Sequence, residues 1–246
     1  MRSVLIVPTY NEAANIERFL TDVRTHAPET EILVVDDNSP DQTAKIAETV
    51  AAKLDSIKII NRSGQRGYAA ASREAMLIAI KSGYDVIATM DADFSHDPKV
   101  LTKLMSLVNL DTALVIGSRY VPGGGVTNWP LFRRVLSKWG NLYTAFCLRL
   151  NIKDCTSGFR AYSTTSLKKI DLANLTADGY AFLSEMAFVI SHKKLGAIVE
   201  SPIVYVDRAF GDSKMNTRIM RESMVLVTRW GFALRTGIGR KHLPRY

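Results

Sequence analysis

The sequence predicts an α/β fold with a mostly parallel central sheet flanked by helices. Short β-branched runs alternate with helical patterns through the first 120 residues. Helix-start signals fall between those runs. Hydrophobic residues make up 47% of the 246-residue chain and charged residues 23%, with a mean hydropathy of +0.01. That balance is enough to bury the core such a sheet requires and leaves no room for a disordered or collagen-like reading. Strands alternating with helices imply parallel pairing with helices on both faces.

The elements follow in order. Ser3–Pro8, Glu31–Asp36, Ile57–Asn61, Asp85–Met90 and Ala113–Ser118 read as strands. Ser39 with Pro40 has the form of an N-cap followed by an N1 proline, and Asp97 with Pro98 repeats it ahead of a helix over Lys99–Val108. After residue 120 the pattern changes. A glycine run at 123–125 leads to a helix from about Trp129 to Leu148, then a loop, a helix around Ala181–Lys193, a strand near Ala197–Val206 and a last helix from about Arg218. No linker or repeat divides the chain, so one domain over 1–246 is expected, ending in a basic amphipathic segment at 216–246.

Charge narrows the partners. The formal net charge is +8, and residues 208–246 hold nine Lys/Arg against Asp212 and Glu222. A concentrated basic tail favours an anionic partner: a phosphate ligand, nucleic acid or an acidic membrane surface. No RNP-type aromatic pattern, zinc-finger spacing or helix-turn-helix signal supports nucleic acid, which is therefore not expected. Cys147 and Cys155 lack metal-site spacing and are too few for a disulfide framework, so reduced thiols in a cytosol are expected. Only five consecutive apolar residues precede Thr9, too few for a secretory signal, and the apolar stretch Met224–Ile238 is cut by Arg229 and Arg235.

In an open α/β sheet, ligands bind beyond the carboxyl ends of the strands. Here those ends carry Pro8 to Glu12, Val35 to Asp41, Asp91 to Asp93 and Gly117 to Tyr120. The first βα turn has no glycine, which excludes a dinucleotide fingerprint or a P-loop. Asp91 and Asp93 lie two apart, and strand periodicity would turn both carboxylates to one side, where Mg²⁺ or Mn²⁺ would accept hard oxygen ligands. The bland alternative is two solvated turn residues. Asp36 and Asp37 read equally as turn formers or as a ligand contact, and Tyr10 as a base-stacking ring or a packed one. Arg133, Arg134 and Lys138 alone read as a solvated helix face. Asp154 to Arg160 reads as a turn in which Gly158 permits positive φ. The last helix suits either a membrane interface or packing on its own domain.

Taken together, PTYNE (8–12), VVDDNSPD (34–41), MDAD (90–93), GSRY (117–120), NWP (128–130) with Arg133 and Ser137, TSGFR (156–160) and DRAFGDSK (207–214) resemble the polyprenol/dolichol-phosphate mannosyltransferases. These are inverting, metal-dependent glycosyltransferases with a GT-A fold, and the resemblance runs from Ser3 to about Trp230. It implies transfer of mannose from GDP-mannose to a polyprenyl or dolichyl phosphate. It places Pro8, Tyr10, Glu12, Val35, Asp37 and Ala92 on the donor, Asp91 and Asp93 on Mg²⁺ or Mn²⁺, and Arg208 and Lys214 on the diphosphate. Arg119, Arg133 and Ser137 would hold the acceptor phosphate, with Arg160 and Glu185 ordering the site. Some members carry a metal-binding Gln where this chain has the shorter Ser95, and His96 is a poor ligand for a hard ion. The resemblance further implies peripheral association with the cytoplasmic face of a membrane, in some members through a separate anchoring protein. The base and sugar epimer are not readable from the motifs, so UDP-glucose or another nucleotide sugar stays as the alternative donor.

Overall fold

The computed structural model describes residues 1–64, 66–207, 217–239 and 243–244. Seven strands form the main sheet: β1 (Ser3–Thr9), β2 (Glu31–Asp36), β3 (Ile57–Asn61), β4 (Val86–Thr89), β5 (Thr112–Ser118), β7 (Arg160–Ser163) and β8 (Ala197–Pro202). Their order is β3-β2-β1-β4-β7-β5-β8. All neighbours pair in parallel except β7, which runs antiparallel to both β4 and β5. Two short strands, β6 (Gly125–Val126) and β9 (Val204–Tyr205), pair in parallel beside it.

Strand periodicity explains how one sheet serves two cores. Val4 and Ile6 of β1 join one buried cluster while Leu5 and Val7 join another, because successive side chains leave a strand on opposite faces. The second cluster is closed by α1 (Ile16–His26), α2 (Thr43–Ala51) and α4 (Leu101–Ser106). On α1, Ile16, Phe19, Leu20 and Val23 are buried, the i, i+3, i+4, i+7 stripe of a helix lying on a sheet. The first cluster is closed by α3 (Tyr68–Lys81), α5 (Leu131–Leu148), α7 (Gly179–His192) and the last helix, α8 (Thr217–Thr236). A single turn, α6 (Thr164–Leu167), follows β7.

Three expectations are corrected. Ser39 does not cap α2, which starts at Thr43 after Gln42 at φ 69°; the Ser39 hydroxyl instead donates to Asp36 Oδ1 at 2.6 Å and accepts from the Asn11 amide at 3.0 Å. The helix expected over Lys99–Val108 is a 3₁₀ turn at Pro98–Val100 running into α4, with Asp97 accepting from the Lys99 amide as its start signal implied. Strand β7 lies in the middle of the sheet, within a stretch expected to be a loop.

The terminal helix divides its apolar residues. Val227, Trp230 and Ala233 are buried, whereas Val225 and Phe232 are exposed, so packing on the domain accounts for its inner face. Gly231 is what brings α8 against α5. A Cβ there would stand 2.9 Å from Cys147 Cβ and 3.0 Å from its carbonyl oxygen, closer than packed atoms come. Gly231→Ala is expected to destabilise the fold by about 1–3 kcal/mol through overpacking, read as a lower urea midpoint. An unchanged midpoint would mean that the two helices part easily.

Candidate active site

The sheet topology dictates where a ligand can sit. Chain order reverses about β1, with β2 and β3 to one side and β4 to the other, and the crevice at the carboxyl ends of such strands is the binding position of α/β sheets. A cleft of about 950 Å³ opens there. Pro8, Tyr10 and Glu12 come to it from the end of β1, Asp37 from β2, and Asp91, Ala92 and Asp93 from β4. Its remaining walls are Arg66 to Tyr68, the segment Thr176–Gly179, Ala181 and, from α8, Arg221, Glu222, Ser223, Val225, Leu226 and Arg229.

The two carboxylates that end β2 have separate jobs. Asp36 is wholly buried and accepts from Thr9 Oγ1 at 2.9 Å and from the Ser39 hydroxyl and amide, which makes it the turn former. Asp37 lines the cleft, where it accepts from the Gly67 amide at 2.6 Å and pairs with the buried guanidinium of Arg62. Val35, expected on the donor, has its side chain fully enclosed in the core. Only its backbone is left to meet a ligand. The Arg66 guanidinium lies over the Tyr10 ring, 5.4 Å from its centroid, and Glu12 Oε2 accepts from Asn15 Nδ2 at 2.8 Å.

Asp91 and Asp93 share the cleft, but not by strand periodicity. Strand β4 ends at Thr89, and the segment beyond it turns through Phe94 at φ 59°. A bulky residue in that region costs roughly 1–2 kcal/mol. It is held by packing: the Phe94 ring meets Phe19 edge-on at 5.9 Å and lies under Arg18 at 4.8 Å. Asp93 Oδ1 accepts from the Ser95 amide at 3.0 Å, and Ser95 itself is fully buried and does not line the cleft. Gly158 is in place for space rather than conformation. Its φ is not positive, and a Cβ would sit 3.2 Å from the Tyr68 hydroxyl and 3.5 Å from Asp91 Oδ2. The 154–158 loop thereby reaches the Asp91 carboxylate.

A second cluster lies alongside. Arg119 is buried and grips Asp154 in a fork, Nε to Oδ2 at 2.8 Å and Nη2 to Oδ1 at 2.7 Å, with Nη2 also donating to Thr156 Oγ1. Burial opposes both charges, yet the pair's mutual attraction prevails, raising the Arg119 pKa and lowering that of Asp154. Arg119, expected on the acceptor phosphate, has its fork occupied by a carboxylate. Arg133 lies with its guanidinium 4.1 Å from the Trp129 ring and donates to Asp207 at 3.1 Å. One helical turn on, Ser137 Oγ accepts from the Tyr120 hydroxyl at 2.6 Å. Neither Arg133 nor Ser137 lines the main cleft.

Tyr205, which sequence reasoning missed, connects the two clusters. Its ring meets His96 at 5.3 Å and Trp129 at 5.2 Å and lies beneath Arg119 at 5.6 Å. Burial first, then the nearby Asp93 carboxylate, pushes its phenol pKa up, so it stays a proton donor. Nothing in a lone Tyr on a short β-run signals this. His96 is enclosed and, chiefly by burial, held neutral with its pKa lowered to about 4.

Arg160 and Glu185 brace the walls. Arg160 is completely buried and donates to the carbonyls of Ser157, Leu183 and Cys155 at 2.6–2.8 Å, tying down the loop that carries Gly158. Glu185, its pKa raised by burial, accepts from the amides of Thr176 and Ala177. Arg208 and Lys214, expected on the diphosphate, lie outside the described residues.

Comparison with known proteins places these features in context. Residues 4–171 match the family described as Glycosyl transferase family 2. The chain is 43% identical over 236 residues to the undecaprenyl-phosphate mannosyltransferase of Micrococcus luteus, covering 96% of each chain. It is 41% identical over 231 residues to the polyprenol monophosphomannose synthase of Mycolicibacterium smegmatis, covering 94% of this chain and 87% of the other. Among solved structures it is similar to the mannosyltransferase PcManGT of Pyrobaculum calidifontis in complex with GDP-Man and Mn²⁺. There the TM-score is 0.61 at 18% identity, with 97% of this chain and 65% of that one covered.

Proposed function

This chain belongs to glycosyl transferase family 2, and on that footing we propose that it moves mannose from GDP-mannose to the phosphate of a polyprenyl lipid, inverting the anomeric carbon and releasing GDP. Its fold is that of the GT-A glycosyltransferases. The observation that carries the reading is the juxtaposition, through Tyr205, of a cleft bearing Asp91 and Asp93 with a cluster bearing Arg119 and Arg133. The two relatives of 41–43% identity are a mannosyltransferase and a phosphomannose synthase for polyprenyl acceptors.

The chemistry asks for positioning rather than proton removal. A phosphate monoester, with a second pKa near ~6, is largely dianionic at neutral pH and attacks without a base. An oxygen of the acceptor phosphate bonds to the mannose anomeric carbon as the bond to the GDP oxygen breaks, and the leaving diphosphate keeps that electron pair. Two anions must therefore meet while negative charge grows on the leaving group. Arg133 supplies a cation and Ser137 a hydroxyl on one side of α5, at i and i+4. Trp129 Nε1, beside Arg133, is buried with no hydrogen-bond partner among the described residues, a donor left for an anion. Tyr10, Glu12 and Asp37 hold the nucleotide end; Arg208 and Lys214, which lie outside the described residues, are assigned to the diphosphate by the family resemblance alone.

Asp91 and Asp93 fit a divalent ion: two hard oxygen donors on one cleft. Among the described residues no third His, Cys, Asp or Glu joins them, so other positions fall to water or substrate oxygens. Bound Mg²⁺ or Mn²⁺ would offset charge on the departing diphosphate. A lipid-linked acceptor places this proposed reaction at a membrane surface, which the resemblance puts on the cytoplasmic face. Among the described residues no helix is long and apolar enough to cross a membrane.

A filter assay with radiolabelled GDP-mannose or UDP-glucose, polyprenyl phosphate, and added EDTA tests the reading. Product from GDP-mannose that EDTA abolishes is expected; product from UDP-glucose alone would overturn the donor assignment. Arg133→Ala is expected to raise the KM for polyprenyl phosphate by about tenfold or more, by loss of a charge-assisted hydrogen bond, with the donor KM unchanged. Weakened donor binding with the acceptor unaffected would contradict that role.

A further inference from the structure

Three arginines of the two clusters are already paired: Arg62 with Asp37, Arg119 with Asp154 and Arg133 with Asp207. Two on the last helix are not. Arg221 and Arg229 line the cleft from α8, both are exposed, and among the described residues neither has an ion-pair or hydrogen-bond partner. A guanidinium facing bulk water is an ordinary solvated group. Two of them on the wall of a cleft that also holds Asp91 and Asp93 offer that cleft a positive side.

Helix geometry brings the pair together. Arg221, Val225 and Arg229 recur every four residues of α8 and, at about 100° per residue, fall within an arc of about 80°. The other side of the helix buries Val227, Trp230 and Ala233 against the domain. Along the axis the two arginines are about 12 Å apart, from a rise of about 1.5 Å per residue, a gap that two long side chains can close on one ligand. Between them Val225 and Leu226 line the cleft, as do Ala177 and Ala181. Apolar walls lower the local dielectric and strengthen the field of a neighbouring cation.

The company these arginines keep selects the anion. Arg133 and Ser137, assigned to the acceptor phosphate, do not line this cleft, whereas Tyr10, Glu12, Asp37, Asp91 and Asp93 do. A nucleotide seated on those residues brings its phosphates among four carboxylates, which repel them. We propose that Arg221 and Arg229 bind the diphosphate of the nucleotide sugar, so that α8 is a wall of the donor site as well as a packing element. The proposal rests on the functional reading above in taking a nucleotide sugar as the occupant. The planar guanidinium fork matches phosphate oxygens. When the bond to the anomeric carbon breaks, the leaving diphosphate keeps the electron pair, and cations already fixed on a helix offset that charge with little reorganisation.

The test is the binding of GDP to the full chain in the presence of Mn²⁺, read by isothermal titration, with guanosine and a short-chain prenyl phosphate as comparators. Arg221→Gln/Arg229→Gln is expected to weaken GDP binding by about tenfold or more, the scale of a lost charge-assisted hydrogen bond, and to leave guanosine and the prenyl phosphate unaffected. Arg221→Lys/Arg229→Lys, which keeps the charge but not the fork, is expected to recover part of the loss. Sodium chloride should weaken GDP binding more steeply in the wild type than in the Gln variant, because salt screens exposed charges. Both side chains are exposed, so the urea midpoint is expected to stay near wild type. Unchanged GDP affinity in the Gln variant, or a loss that guanosine shares equally, would overturn the proposal, as would a loss confined to the prenyl phosphate. Wild-type binding of UDP in place of GDP, with the same dependence on the two arginines, would leave the diphosphate site standing and sink the assignment of GDP-mannose as donor.

Discussion

Asp93→Ala is expected to lower mannosyl transfer by about a thousandfold or more, the scale on which losing one strong electrostatic contact to the transition state is felt. Asp93 is 4% exposed, yet it lines the cleft beside Asp91. Two carboxylates facing a diphosphate would repel it: at 4 Å, each unit pair costs about 4 kcal/mol at an effective dielectric constant near 20. Such an arrangement is sensible only when a cation stands between the two sets of oxygens. The competing explanation is that Asp93 merely braces its turn, since Oδ1 accepts from the Ser95 amide. Asp93→Asn separates the two, because the amide oxygen preserves the brace and only the charge is lost. Initial rates should collapse in both variants while thermal unfolding of the Asn form stays near wild type. A fully active Asp93→Asn enzyme, indifferent to EDTA, would reduce Asp93 to a turn residue.

The parts of this site that could be read from the sequence are those whose signal is local. Runs such as Val4–Val7 and Ile32–Val35 are long, apolar and bounded by turn residues, and each becomes a strand with its polar cluster at the carboxyl end. The residues between strands are harder, because chemistry alone does not say which way a side chain faces. Asp36 and Asp37 are identical in type and adjacent, yet one is enclosed by Thr9 and Ser39 and the other faces the cleft. Strand β7 escaped notice because it is four residues long, begins with Arg160 and gains its place by pairing with β4 and β5, some 45 to 75 residues upstream. An arginine in mid-sheet is tolerated since each of its three guanidinium nitrogens donates to a carbonyl. Arg119 stands out in the sequence as a cation at a strand end, but not as one held by Asp154. A fork partner 35 residues away leaves no trace in local pattern.

The largest stability effect is expected at that pair. The Asp154 carboxylate is fully buried and accepts from the Arg119 side chain at two nitrogens, from the Arg119 amide at 3.0 Å and from the Ser157 amide at 3.1 Å. Asp154→Ala strands a buried guanidinium together with these amides, and removing one partner of a buried ion pair costs about 3–5 kcal/mol. That is a large share of the 5–15 kcal/mol or so that typically separates a folded domain from its unfolded chain, and equilibrium unfolding in urea should show it. Acid titration gives an independent check. Burial pushes the Asp154 pKa up, but Arg119 outweighs it and the net value lies below the ordinary 3.8. The folded state therefore binds fewer protons than the unfolded chain, and the stabilisation is complete above about pH 4 and lost as pH falls through the lowered value. Asp154→Asn should remove that acid-sensitive component and flatten the stability curve below pH 4. The consequence for transfer follows from the loop that Asp154 begins, which brings Gly158 so near Asp91 that an added Cβ would stand 3.5 Å from its Oδ2. Both variants, assayed under conditions where they remain folded, should lose turnover through a displaced Asp91 rather than through weakened acceptor binding. Wild-type stability in Asp154→Ala would mean that Arg119 finds another counter-charge and that the loop is positioned without it.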